Sequence, residues 1–171
     1  PKMFQDDESI KLAAKLNVSH KDFNAMYQEY DRLVKIGRIV EIDKRVKQFI
    51  MRYADGVIVN VGAELDTMFS RMDNGRIRWY NVDMPETMEL RRKMVESRDR
   101  EQNIGKSILD FSWLDSVKKK PGEAILFVCC DVTKYFTDKK LQAFLNAIWE
   151  RFPGAEVLFD VKNSVGRKRA N

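Results

Sequence analysis

No apolar run in this chain reaches the roughly 18 residues that a membrane-spanning helix needs. The longest, Val57–Val61 and residues 124–130, have the length of strands. The opening Pro1-Lys2-Met3-Phe4-Gln5-Asp6-Asp7 lacks the apolar segment of a signal peptide. No membrane partner is expected, and the cytoplasm is the expected location. Cysteine is scarce: there are two, Cys129 and Cys130, and they are adjacent. Neighbours on a strand face opposite sides, which argues against a disulfide between them. A single pair also lacks the spacing of a zinc site, so no metal is expected. The plain reading of both is as small buried apolar residues. Internal repeats and low-complexity segments are absent as well.

Charge excess is small. The 171 residues carry 31 Lys and Arg against 26 Asp and Glu, a net +5. Two basic runs occur, Lys118-Lys119-Lys120 before the turn pair Pro121-Gly122, and Arg167-Lys168-Arg169 near the end. Neither is interleaved with aromatic residues, as a single-strand binding surface would be, and no nucleic-acid partner is expected.

What is present suits one α/β domain. Hydrophobic residues make up 44% of the chain, enough for a sizeable core. Residues 1–55 read as a helical segment. Ile10 to Leu16 is amphipathic and stops at Asn17. Ser19 and Asp22 give the Ser-x-x-acid start of a second helix through Phe23, Met26, Tyr27, Tyr30 and Leu33. Gly37 is expected to interrupt it, and a third helix carries Ile39, Ile42, Val46, Phe49 and Ile50. Residues 56–171 then alternate short apolar runs with amphipathic stretches. Val57–Val61, residues 77–82, 107–109, 124–129 and 156–159 read as strands; residues 86–96 and 141–149 read as helices. Runs buried on both faces and separated by helices predict a mostly parallel sheet between helical layers. Ligands in such sheets bind outside the carboxyl ends of the strands. Those ends are Gly62, Asp83, Asp110, Cys130-Asp131 and Asp160. Small and acidic residues of this kind suit a polar nucleoside ligand.

Gly62 closes the first strand in Gly62-Ala63-Glu64-Leu65-Asp66. A glycine there lets backbone approach a ligand, and a following helix would offer its N–H groups. A tight turn into a helix is the alternative. The other two glycines of a dinucleotide fingerprint are missing, which disfavours a NAD-linked enzyme. Asp83 falls 21 positions after Gly62 at the end of the second run. Nucleotide-binding α/β folds place an acid there to hold ribose hydroxyls. A helix N-cap ahead of Pro85 is the other reading. Asp110-Phe111 pairs an acid for the adenine amino group with an aromatic cover for the ring; an N-cap with a core aromatic would look the same.

Four stretches in order carry a resemblance. They are residues 59–67 (Val-Asn-Val-Gly-Ala-Glu-Leu-Asp-Thr), 79–86 (Trp-Tyr-Asn-Val-Asp-Met-Pro-Glu), Leu90-Arg91-Arg92-Lys93, and 107–115 (Ser-Ile-Leu-Asp-Phe-Ser-Trp-Leu-Asp). Together they resemble the leucine carboxyl methyltransferase family, and within it the bacterial tetracenomycin-type polyketide O-methyltransferases. The resemblance runs from about Arg38 to Asp160. It implies a Rossmann-like class I methyltransferase core that binds S-adenosylmethionine and methylates a carboxylate or phenolic oxygen of a small-molecule acceptor. It places Gly62 at the methionine part of the cofactor, Asp83 at the ribose, and Asp110 with Phe111 at the adenine. Arg38 resembles the family arginine that meets the cofactor carboxylate, although an exposed helix charge would look alike. Cys130, at the fourth strand end, is counted on the cofactor side.

The departures define a second expectation. Glu64 and Met68 replace a glycine and an arginine of the family's first motif, and Cys130-Asp131-Val132 stands where the family often has Glu-Gly-Val. The family continues through two further strands after the fifth, and these C-terminal strands are absent before Asn171. The chain is then a fragment or a shortened paralogue, and a bared sheet edge leaves room for a homo-oligomer. The alternative function is a degenerate methyltransferase-like domain that binds a partner or metabolite.

Overall fold

A computed structural model describes residues 5–19, 21–22 and 28–161. Helix α1 spans Asp7–Lys15. It starts where the Asp6 carboxylate accepts the Ser9 N–H at 3.0 Å. It stops before Asn17, which takes the left-handed conformation at φ 53°. Helix α2 spans Glu29–Arg52 and runs straight through Gly37, against the sequence expectation of a break. Nothing lies within 4 Å of where a Gly37 side chain would begin. A glycine on an open face costs a helix about 1 kcal/mol. That is too little to break one whose later turns bury Ile42, Val46 and Phe49. Phe23, Met26 and Tyr27 of the expected second helix lie outside the described residues, as do Arg167, Lys168 and Arg169. None of the described helices is long and apolar enough to cross a membrane.

The remaining elements alternate. Strand β1 is Val57–Val61, helix α3 Met68–Met72, strand β2 Arg78–Asp83, helix α4 Pro85–Met94, strand β3 Glu101–Gly105, strand β4 Ile125–Cys129, helix α5 Asp138–Arg151 and strand β5 Glu156–Phe159. The strands form one sheet in the order β3-β2-β1-β4-β5, with every neighbouring pair parallel. The central β1 lies between β2 and β4, with Val57 opposite Arg78 on one side and Ile125 on the other. Period-2 alternation splits β1, β2, β4 and β5 between two cores. Val57, Val59 and Val61 face Trp113, Phe144 and Ile148. Ile58 faces Ile42, Val46, Phe49 and Phe69 on the opposite side. Burial on both faces explains why β4 reads as an unbroken apolar run and β1 as one interrupted only by Asn60.

The third strand corrects the sequence reading. It is Glu101–Gly105, not residues 107–109. Ser107 to Asp110 form a turn closed by the Asp110 N–H on the Ser107 carbonyl at 2.9 Å. Glu101, Gln102 and Asn103 look like loop residues because β3 is an edge strand. Its one inward charge, Glu101, is neutralised by a buried arginine rather than replaced by an apolar residue.

Candidate functional site

The chain leaves β1 outward to β2 and β3, then returns to β4 on the other side of β1. At such a switch point the loops after the two central strands part, and a crevice opens above their carboxyl ends. A cavity of about 650 Å³ lies there, lined by Gly62, Asp83 and Cys130 from the ends of β1, β2 and β4. Arg38 of α2 and Asp6 and Ser9 at the start of α1 line it as well. Its size falls within the range of small-molecule sites.

The loop after β1 is held from two directions. Gly62 turns at φ +72°, and its N–H donates to the Val82 carbonyl at 2.8 Å. Asp83, 7% exposed, accepts the Glu64 N–H on Oδ2 at 2.9 Å and the Met84 N–H on Oδ1 at 2.7 Å. Each carboxylate oxygen keeps a further lone pair for a ligand. Behind the loop, Arg91 is buried and donates to the carbonyls of Glu64 at 3.1 Å and Asp66 at 2.7 Å. Its other arm pairs with Glu101 at 2.9 Å. Asn81 donates to the same Glu101 oxygen at 2.7 Å. Glu64 itself sits at φ +41°, with its side chain exposed.

The opposite wall is ionic. Arg38 Nη1 meets Asp160 at 2.9 Å and Asp131 at 3.0 Å. Asp131 adopts φ +58° and donates its N–H to the same Asp160 carboxylate at 2.7 Å. Burial, then the negative charge of Asp160, pushes the Cys130 thiol up to about 11. It is therefore a neutral thiol near pH 7 and no nucleophile.

Of the residues singled out from sequence, Arg38, Gly62, Asp83 and Cys130 line the cavity. Asp110 and Phe111 do not share that lining, which on this side runs through Ser107, Ile108 and Leu109. Asp110 caps the 3₁₀ helix Phe111–Ser116, accepting from Ser112 N at 3.1 Å and Ser112 Oγ at 2.7 Å. Those bonds hold its carboxyl below the ordinary range. The Phe111 ring points inward, 6.4 Å from that of Phe144.

Sequence reading gave no role to Asn60, Asp66 or Arg71. Arg71 meets Asp43 through two bonds of 2.8 and 3.0 Å and Asp6 at 2.7 Å. Asp6 also accepts from Thr67 Oγ1 at 2.5 Å, and Ser9 Oγ lies 2.9 Å from that hydroxyl. This network ties α1 to the cavity rim. Its partners lie up to 65 positions apart, so no local pattern marks them. Asp66 and Thr67 do stand inside the stretch 59–67 that carries the family resemblance.

A five-stranded parallel sheet of this order, with a glycine turn after the central strand and an acid after its neighbour, defines a Rossmann-like α/β domain. Solved structures agree on the fold. The N-methyltransferase NodS from Bradyrhizobium japonicum, in complex with S-adenosyl-L-homocysteine, superposes with a TM-score of 0.56 at 13% identity, over 99% of this chain and 79% of that one. Human N-acetylserotonin methyltransferase, in complex with S-adenosylmethionine, gives 0.52 at 14% identity, over 94% of this chain and 49% of that one. The sequence model of the leucine carboxyl methyltransferase family matches residues 3–148, and the chain belongs to that family. It is 28% identical over 124 residues to the tetracenomycin polyketide synthesis O-methyltransferase TcmP of Streptomyces glaucescens. That match covers 72% of this chain and 45% of the relative, so the chain spans under half of TcmP.

Proposed function

We propose that this chain is the cofactor-binding part of an S-adenosylmethionine-dependent O-methyltransferase that acts on a carboxylate or phenolic oxygen of a small molecule such as a polyketide. The observation that carries the reading is Asp83. Its carboxylate is fixed by two N–H groups at the rim of a cavity of suitable size, at the switch point of the sheet. The cofactor supplies an electrophilic methyl group on a sulfonium. In this reading Gly62 lets the backbone approach its methionine part, Asp83 holds the ribose hydroxyls, and Cys130 with Arg38 lines the amino-acid end. Arg38 meets both its acids through Nη1, and no bond to Nε or Nη2 occurs among the described residues, so those groups are assigned to a carboxylate. Asp110, one residue beyond the lining at Leu109, accepts from the adenine amino group, whereas Phe111 is assigned to the core. A carboxylate acceptor needs no general base, so the protein's work is positioning.

Isothermal calorimetry with S-adenosylhomocysteine tests this directly. The parent should bind, and Asp83→Ala should weaken binding by about 1.5–3 kcal/mol, the range for hydrogen bonds to a charged group. Absence of binding by the parent sinks the proposal. Unchanged affinity in a folded Asp83→Ala variant would confine Asp83 to holding the turn.

One feature favours the second reading, a degenerate domain that binds a partner: Glu64 stands at φ +41° where a glycine would be unstrained. Glu64→Gly separates the two readings. Relief of the left-handed conformation is worth about 1–2 kcal/mol. The added freedom of the unfolded chain offsets about 0.4–1 of it, so stability should change little. Affinity for S-adenosylhomocysteine should rise about tenfold. Like charges near 4 Å cost about 4 kcal/mol at an effective dielectric of 20, and exposure of this side chain reduces that. Undetectable binding in parent and variant alike would favour the degenerate domain. Loss of binding in the variant would show that Glu64 holds the ligand.

A further inference from the structure

Three acids surround Arg71: Asp43 with two hydrogen bonds, Asp6 at 2.7 Å, and Asp66 at 3.6 Å. One guanidinium cannot neutralise three carboxylates, and Asp66 is the most distant. The other arginine whose charge reaches Asp66 is Arg91, which is matched by Glu101. Neutral donors do part of the rest. Asp66 accepts the Met68 N–H at 2.9 Å and Asn60 Nδ2 at 3.3 Å. Its side chain is 32% exposed and lines the cavity, while protein closes round the rest of it. Burial accordingly pushes its carboxyl above the ordinary carboxylate range. Among the described residues, Arg71 and Arg91 are the cations that act on Asp66, and both are shared with other acids, so a cation arriving from the cavity side would complete its balance.

The surroundings define which cation. Cys130 lies within the field of both Asp66 and Arg38, so the cavity presents a carboxylate and a guanidinium around one thiol. That pairing is complementary to the two ends of an α-amino-acid zwitterion. Asn60, 3% exposed on central β1, holds the Asp66 carboxylate itself, and the Arg91 bond to the Asp66 carbonyl fixes the backbone that carries it. We propose that Asp66 receives the ammonium group at the amino-acid end of the cofactor. The inference rests on the function proposed above and assigns the counter-charge that the reading leaves open.

The test is a two-by-two titration: parent and Asp66→Asn, each with S-adenosylhomocysteine and with its analogue lacking the amino group. The parent should prefer the amino ligand by at least about tenfold, equivalent to about 1.4 kcal/mol. Asp66→Asn keeps an acceptor for the Met68 N–H and should lose most of that preference while binding the deaminated ligand as the parent does. A parent indifferent to the amino group overturns the inference even if Asp66→Asn fails to fold. So does a variant that keeps the full preference, or one that weakens both ligands equally. A parent that binds neither ligand overturns the proposed function and this inference with it, an outcome distinct from the others.

Discussion

Arg91→Met should lower stability by about 3–5 kcal/mol, the cost of stripping one partner from a buried ion pair. Arg91 is 1% exposed, and its partner Glu101 is 7% exposed. The methionine would leave the Glu101 carboxylate with Asn81 as its remaining donor of those described, at 2.7 Å. It would also strand the carbonyls of Glu64 and Asp66, which Arg91 now satisfies. For a domain of this size each kcal/mol moves the midpoint by about 2–4 °C, so the melting temperature should fall by about 6–20 °C. Calorimetric melting of the parent, the single variant and Arg91→Met/Glu101→Leu checks the cause. Replacing both charges by apolar groups is often close to neutral, so the double variant should recover more than half of the loss. A loss under 1 kcal/mol would put the pair in the class of the exposed Lys93–Glu89 bridge, both of whose side chains are 66% exposed. The same variants should also loosen the loop after β1, because Arg91 is its rear support.

Gly62→Ala should cost about 2–4 kcal/mol. The φ of +72° penalises any L side chain by about 1–2 kcal/mol. The added methyl would begin 2.3 Å from Val132 Cγ2, and Val132 is β-branched and buried, so it has little room to turn away. Overpacking of this sort costs about 1–3 kcal/mol, partly offset by about 0.4–1 from a stiffer unfolded chain. Chemical denaturation of Gly62→Ala beside Gly62→Ala/Val132→Ala apportions the two causes. The second substitution makes room for the methyl and should lessen the incremental cost of the alanine, while the backbone strain stays. Equal cost of the alanine in both backgrounds would assign the whole effect to φ. The glycine that invites a ligand-approach reading is therefore also required by its own neighbours. Glu64 and Asp131, at φ +41° and +58°, flank the same cavity without being glycine. Backbone strain of this kind gathers where loops are held for a ligand.

The sequence by itself determined the frame. β1 and β4 are buried on both faces, so their apolar runs were visible without a partner in view. Glycine and aspartate end β1 and β2, and those ends fixed where a ligand site would lie. Parallel pairing of β1 with β2 and β4 followed from the helices between them. Only the tertiary structure decided the rest. β3 was hidden because its inward charge is matched by Arg91 from another element, and a solitary Glu in a short run signals loop until that partner is known. Asp110 and Phe111 fit an adenine site by order along the chain. Their placement, a cap and an inward ring, depends on a turn of four residues that no periodicity reveals. Arg38 was legible as a charge but not as one already held by two acids more than 90 positions away. Asp66 stands out only when the fold brings it, Asp6 and Asp43 together on the one guanidinium of Arg71. Apolar burial is written residue by residue along a chain, whereas charge balance belongs to whatever the fold brings together.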